Sequence, residues 1–398
     1  MRLEQKSSSE KRLKYRHLFQ LGLGILTLLG LAIRFWKMDH GLPHFFYSDE
    51  GIFIYQALNM GGQGLNSHYF LHPTLFLYLL LFLDGIFILI GMGTGVFNQP
   101  SDAWKLYLTD PTPFYLIGRY TSAVFGILTI PLLYLIGKKV FNEKVGLVGS
   151  LFLAFSLLHV QWSQLGYNDV PLTFFVSLAF LFSFLAAREG ALRYFVISGF
   201  VSGLTASTKY QGFVTLLWGP LASILVALKN GENPVKGLLS KRHFSFLIFF
   251  VLGFTVGTPF WFLEFQQFTS HLLWNWTNIK TFGVGQLGYE GNWNWGYYLA
   301  TTLPYGLGLA VEICGILGMI LLVIRGKKEN LFFISFPLVY FFVIGLARIR
   351  GSKYLLAIFP FLCLAAAYFL FTVISQVIKS QTKRTSVIFF LAGFLVVS

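Results

Sequence analysis

The stretch His72–Gly95, HPTLFLYLLLFLDGIFILIGMGTG, decides how the rest of the chain is threaded. It is long and apolar enough to cross a bilayer, which takes roughly 17–25 residues. It also contains Asp84 and four glycines. If it crosses, every later loop changes sides; if it lies along one face, none does.

The surrounding chain leaves little doubt about the solvent. Of 398 residues, 55% are hydrophobic and only 12% charged, against about 25% charged in a soluble domain. Repeated apolar runs make this an all-α polytopic membrane protein, and no alternating ten-residue pattern suggests a barrel. The net charge of +14 sits on short loops between apolar runs; no nucleic-acid partner is expected. Cys314 and Cys363 lie in separate apolar runs and read as core packing, without disulfide or metal spacing. The first apolar run lacks a small-residue cleavage site and reads as a retained anchor.

Lysine and arginine accumulate in short cytoplasmic loops. With the basic tail 1–17 inside and 72–95 not crossing, the inner side holds 21 basic and 6 acidic residues, the outer side 9 and 10. A crossing 72–95 would move the Lys138 loop outside and invert all later loops. The stretch is therefore expected to be an outer-surface or partly re-entrant helix. About 11 transmembrane helices follow, at 18–36, 114–136, 145–162, 171–187, 194–208, 212–228, 244–262, 299–324, 331–347, 354–374 and 387 onward. They form a single domain, 18–398, with outer loops 37–113 and 263–298 and outer juxtamembrane helices. The N-terminus is expected in the cytoplasm, the protein in the cell membrane.

This threading puts Asp49, Glu50, His72, Asp169, Lys209, Arg348, Arg350 and Lys353 at the outer face. Cations there run against the general rule, and an anionic ligand would explain them. In Phe45–Phe53, FFYSDEGIF, two carboxylates interrupt an apolar run; ionised carboxylates are costly to take out of water. Asp49 at the start of a short helix would stay ionised, either as a cap or as a general base. His72-Pro73-Thr74 marks a helix entry, and Pro73 suits a first helical turn. Asp169 lies on a short outer loop where capping is equally plausible. Lys209 ends a span, and either snorkels to the headgroups or meets an anion. Arg348, Arg350 and Lys353 precede the last long span as a candidate phosphate clamp. Trp274, Trp276, Trp293 and Trp295 in the 263–298 loop fit an interfacial belt or a cover over a sugar-like ligand.

In this order the residues resemble the GT-C superfamily of membrane glycosyltransferases, most closely the protein O-mannosyltransferase and aminoarabinose-transferase-like group (glycosyltransferase families 39 and 83). The resemblance rests on Asp49-Glu50, His72-Pro73-Thr74-Leu75, Arg119, Asp169, Gly203-Leu204 to Lys209-Tyr210, and Arg350…Lys353-Tyr354…Pro360. It covers roughly 18–375, and Thr74 departs from the family pattern by replacing a second proline. The resemblance implies transfer of one sugar from a polyprenyl-phosphate donor (dolichyl- or undecaprenyl-phosphate), with inversion, to an acceptor at the outer face. By motif, Asp49 would be the general base and Glu50 its partner. Lys209, Arg350 and Lys353, with Arg348 as a lesser member, would hold the leaving phosphate. His72 would face the phosphate or order a loop, and Arg119, Tyr210 and Tyr354 are further candidates. The chain stops within an apolar run and is expected to be short or truncated, without a C-terminal soluble domain; the resemblance leaves the acceptor open between protein, glycolipid and cell-wall glycan.

No glycine-rich nucleotide cradle is visible. No cofactor is required by any spacing, although Asp49, Glu50 and Asp169 could supply oxygens to Mg2+ or Mn2+. The rival reading is a multipass transporter or flippase for a lipid-linked or anionic substrate, which would place ionisable groups near mid-membrane; Glu312, inside a predicted span, is its best support.

Overall fold

The computed structural model describes residues 2–44, 48–281, 294–347 and 350–397, which are helical with no strand among them. The first third comprises α1 (Arg2–Phe35), α2 (Ser48–Gln63), α3 (Leu75–Gly93), α4 (Asp102–Thr109) and α5 (Thr112–Val140). Next come α6 (Glu143–Phe155), α7 (Leu157–Ser163), α8 (Asp169–Glu189), α9 (Leu192–Thr208) and α10 (Trp218–Lys229), the last preceded by a 3₁₀ stretch, Tyr210–Leu217. The middle holds α11 (Pro234–Leu238), α12 (Lys241–Gly257), α13 (Phe265–Thr281), α14 (Asn294–Tyr297) and α15 (Leu303–Leu307). The chain closes with α16 (Leu309–Arg325), α17 (Lys328–Gly345), a 3₁₀ turn at Ser352–Ile358, α18 (Phe359–Val377) and α19 (Gln381–Val397).

Eight described helices are long and apolar enough to cross a membrane, or up to ten if two bent pairs each count as one span. The expected span 145–162 is bent by 60° between α6 and α7, and 299–324 by 117° between α15 and α16. Gly308, at φ 82°, supplies the second corner in a conformation that disfavours any residue with a Cβ. The expected spans 194–208 and 387 onward are the 17-residue helices α9 and α19. The outer-loop segment 263–298 contains the helix α13, while its residues 282–293, Trp293 among them, lie outside the described residues.

Helix α3 meets the length and composition of a span, yet its contacts keep both ends at one face. At its start Thr74 Oγ1 donates to Gly257 O (2.9 Å), and Thr74 N to Thr258 Oγ1 (3.4 Å), at the C-terminal end of α12. Towards its other end Phe87 packs edge-on against Phe114, 5.6 Å away, in the first turn of α5. Arg119, two turns into α5, donates to Met38 O and His40 O just after α1. The end of α1 and the start of α5 thus share a face, so the segment between them makes no net crossing. Helix α3 starts two residues after Pro73, which therefore precedes the helix instead of opening it.

The opposite face collects the basic loops. Lys138 pairs with Glu143 at 2.7 Å, Arg188 donates to Lys139 O, Lys229 to Arg188 O and Arg242 to Gly190 O. Lys144 reaches Thr385 Oγ1 on α19 at 2.7 Å. Charge asymmetry and helix direction therefore agree.

Helices α9 and α12 approach closely because small residues face each other. A methyl at Gly199 would fall on Phe246 O, one at Gly203 on Phe250 O, and one at Gly253 on Phe200 O. Close backbone approach replaces the hydrophobic driving force that lipid cannot provide between helices. An aromatic cluster of Phe180, Trp218, Phe333 and Phe361 ties α8, α10, α17 and α18 together, with centroids of Phe180 and the other three 5.2–5.6 Å apart. On the outside of α1, Leu18, Leu21, Ile25 and Leu28 are exposed, as lipid-facing positions should be.

Candidate active site

Five polar residues far apart in sequence meet at the face bearing α2 and α3. Asp49, in the first turn of α2, accepts a hydrogen bond at Oδ2 from Lys353 Nζ at 2.6 Å. Lys353 is the second residue of the 3₁₀ turn before α18, and its ammonium lies over the rings of Tyr167 (4.5 Å), Trp162 (5.3 Å) and Tyr354 (6.0 Å). Those ring faces favour the cation where water is sparse. Beside it, Lys209 follows α9 and donates to Asp169 Oδ1 at 2.5 Å, the carboxylate standing in the first turn of α8. Lys209 also lies over Tyr354, 5.1 Å from its centroid. Asp169 and Lys209 are buried; Asp49 keeps 36% of its side-chain surface. Asp169 Oδ2 is a buried acceptor with no hydrogen-bond partner among the described residues.

His72 stands between these pairs, its ring 4.9 Å from Phe53 and 6.1 Å from Tyr69. Burial and the nearby Lys209 cation, opposed by Asp49, push its pKa down to about 4. It is therefore a neutral imidazole at pH 7. Burial alone would raise the Asp49 carboxyl, but Lys353, His72 and Lys209 outweigh it and hold Asp49 below the usual carboxylate range. Asp49 is thus an anion held in a positive field. Burial and Asp49 together raise the Tyr69 phenol.

Glu50, one residue on, does something else. It is fully buried, and Arg119 grips it with Nε on Oε1 (2.9 Å) and Nη2 on Oε2 (3.1 Å). Gly166 N adds a third donor to Oε1 at 2.7 Å. Arg119 spends its remaining reach on Met38 O and His40 O. A satisfied, bidentate buried pair fixes geometry. Glu50 and Arg119 therefore lock α2 to the α1 exit and to the 163–168 loop, which aims Asp49 at Lys353.

The other expected residues sit at the rim. Arg350 Nε donates to Asn294 Oδ1 at 2.6 Å, and the guanidinium lies 5.5 Å from the Tyr297 ring. Tyr210 donates to Phe70 O at 2.6 Å, pinning the 64–71 loop. Tyr354 accepts at its carbonyl from Tyr340 and turns its ring to the two lysines. Arg348 lies outside the described residues. Glu312 is buried in the first turn of α16, apart from this cluster. Trp274 and Trp276 are exposed on α13, while Trp295 stacks on Phe342.

Sequence reading missed the aromatic box of Trp162, Tyr167 and Phe53 around the lysine and the imidazole. The only signal was the position of Tyr167 two residues before Asp169, in SQLGYNDVP. It also missed Arg34, buried in α1, which donates to Leu153 O and Ala154 O at the α6–α7 bend and meets His159 Nδ1 at 2.9 Å. Leu153 O also accepts from Ser156 N at 3.3 Å, and a guanidinium is favoured beside carbonyls at a helix C-terminus.

Of the three carboxylates considered for a divalent ion, two already have partners within the protein. Glu50 is committed at both oxygens, and Asp169 carries Lys209. Among the described residues no group of three or more His, Cys, Asp or Glu gathers around one centre.

Comparison with known proteins finds similarities in sequence and in fold. The family described as dolichyl-phosphate-mannose-protein mannosyltransferase matches residues 116–263. A dolichyl-phosphooligosaccharide-protein glycotransferase 2 of Pyrococcus furiosus is 29% identical over 174 residues, covering 41% of this chain and 23% of that protein. The oligosaccharyltransferase of Archaeoglobus fulgidus, solved with a tethered acceptor peptide, superposes with a TM-score of 0.61 at 12% identity, over 96% of this chain and 54% of the other. ArnT from Cupriavidus metallidurans, solved bound to undecaprenyl phosphate, superposes at 0.55 with 15% identity, over 90% and 60%. The chain spans a little over half the length of these two solved proteins and about a quarter of the Pyrococcus one. The fold of this helical membrane protein is thus similar to that of these solved oligosaccharyltransferase and ArnT structures.

Proposed function

We propose that the chain transfers one sugar from a polyprenyl-phosphate donor to an acceptor at the face bearing α2 and α3, which we take as the outer face of the cell membrane. The observation that supports this reading is the contact between Asp49 and Lys353: a carboxylate suited to act as base and a cation suited to hold phosphate share one site. The donor's prenyl chain lies in the bilayer and its phosphate at the surface, and the charged cluster sits at the corresponding end of apolar helices.

The chemistry follows from the charges. The donor phosphate competes with Asp49 for Lys353, and as the ammonium turns towards phosphate the carboxylate regains basicity. Asp49 then takes the proton of the acceptor hydroxyl, whose oxygen attacks the anomeric carbon from the side opposite the phosphate. The bond from that carbon to the phosphate oxygen breaks with its electron pair, so configuration inverts and polyprenyl phosphate leaves with added negative charge. Lys353 meets that charge directly. Lys209, kept buried by Asp169, adds positive potential, and preorganised charge of this kind is a large catalytic term. Arg350 orders the rim through Asn294, and Arg348 is proposed as a further phosphate contact. His72 stays neutral beside Asp49 and is proposed to donate or accept a hydrogen bond without competing for the proton. No step is routed through a metal ion.

The donor sugar and the acceptor, protein or glycolipid, are read from the product. Purified protein is analysed by mass spectrometry for copurified polyprenyl lipid, then incubated with the matching donor and candidate acceptors. Release of polyprenyl phosphate together with a glycosylated product is expected. Absence of any polyprenyl-phosphate-dependent product across these acceptors, or donor carried across the bilayer without cleavage, would overturn the proposal in favour of transport.

A further inference from the structure

A second cluster of cations lies at the opposite face, apart from the candidate active site. Lys144 lies in the first turn of α6, Arg325 ends α16 and Arg384 lies in the first turn of α19. All three line one cavity of about 580 Å³. Basic loops are expected on that face, but topology alone asks only for charge in each loop. It gives no reason for three separate loops to bring like charges to one cavity, where they repel. Glu143 is the carboxylate on the lining, and it already pairs with Lys138 at 2.7 Å.

The cavity is two-sided. Its polar side holds the three cations and the N-terminal end of α6, where Asn142 caps the backbone of Lys144 and Val145. The Arg384 guanidinium is held by Ile378 O and Lys379 O, and Arg325 is held on the Tyr368 ring and hydroxyl. Its other side is Phe19 and Phe371. Phe19 is half-buried on α1 beside exposed Leu18, so this wall borders the lipid-facing side of the helix. Phosphate oxygens match the first side, and glycerol with the start of two acyl chains matches the second.

We propose that this cavity binds an anionic glycerophospholipid of the adjoining leaflet, its phosphate among Lys144, Arg325 and Arg384 and its glycerol–acyl junction against Phe19 and Phe371. Basic clefts between membrane helices recognise phospholipid headgroups by this combination. The bound lipid would bridge α6, α16 and α19, and so fasten the last helix to the bundle. The inference stands apart from sugar transfer.

The test is native mass spectrometry of the full chain in detergent, titrated with phosphatidylglycerol. Phosphatidylcholine of the same acyl chains and inorganic phosphate serve as comparators. Phosphatidylglycerol is expected to bind at least tenfold more tightly than phosphatidylcholine. Arg325→Ala/Arg384→Ala should weaken it at least tenfold, while Arg193→Ala, exposed on the same face, should not. Binding should persist in Lys353→Ala, which separates this cavity from the donor site. If the double variant loses its thermal transition, Arg384→Gln alone is compared instead. Equal binding of both lipids, undiminished binding by the variants, loss of binding in Lys353→Ala, or saturation by inorganic phosphate with no gain from the lipid would each overturn the proposal.

Discussion

Lys353 Nζ lies 2.6 Å from Asp49 Oδ2, joining residues 304 apart in the chain. One reaction centre can therefore contain a base and a cation for the leaving group. Replacing Lys353 by Met keeps the stem and removes the charge. Turnover should fall about 10²–10³-fold, the usual cost of losing one preorganised donor to a developing anion. Lys328→Met, at the start of α17 on the other face, should leave the rate within a factor of two or so. Steady-state kinetics on both variants checks this, and equal effects would remove Lys353 from the site.

The Glu50–Arg119 pair should behave as scaffold. Arg119→Ala leaves a buried carboxylate with only the Gly166 amide, and should cost about 3–5 kcal/mol of stability. Arg119→Lys should recover little, because a point charge cannot hold both carboxylate oxygens and the two carbonyls. Thermal unfolding in detergent measures both. A variant with an unchanged transition but lost activity would instead make Arg119 part of the chemistry.

pH separates the roles of Asp49 and His72. Asp49 is held below the ordinary carboxylate range, so its base form persists as pH falls and the acid limb of kcat/KM should lie below that of an ordinary carboxylate. No inflection near 6.5 is expected from His72, which protonates only at about 4. Stability carries the opposite signature. Between pH 6.5 and 4 the unfolded chain binds a proton at this histidine and the folded chain does not, so its contribution is present above 6.5 and is lost as pH falls towards 4. Wild type should thus lose more thermal stability across that window than His72→Gln. An equal loss would mean that His72 is not held neutral.

The α9–α12 contact gives a packing test remote from the chemistry. Gly203→Leu would drive a side chain into the Phe250 carbonyl, and should destabilise by about 1–3 kcal/mol or more. Gly24→Ala, on α1 where nothing lies within 4 Å, should be neutral. Thermal midpoints of the two variants decide it.

Much of this was legible in sequence because the bilayer punishes misplaced charge. The basic-loop count is what argues for a 72–95 helix that keeps both ends at one face, and sequence alone singles out Asp49, His72, Asp169, Lys209 and Lys353, which the structure brings together. What stayed hidden depended on distance in space. Adjacent in sequence, Asp49 and Glu50 looked like partners, but helix geometry turns one towards Lys353 and the other into Arg119. The tyrosine and tryptophan faces around Lys353 carry no sequence signature, since such residues are common in any membrane protein. Bends at Ser156 and Gly308 were invisible in hydropathy, which averages across a corner.

The most direct measurement is single-turnover transfer by Asp49→Asn with a bound polyprenyl-phosphate sugar. Asparagine keeps the size of the side chain and removes the basic oxygen, so donor should still bind while transfer falls by about 10²–10⁴-fold, the range for a lost general base. Transfer at the wild-type rate with intact donor binding would contradict the account.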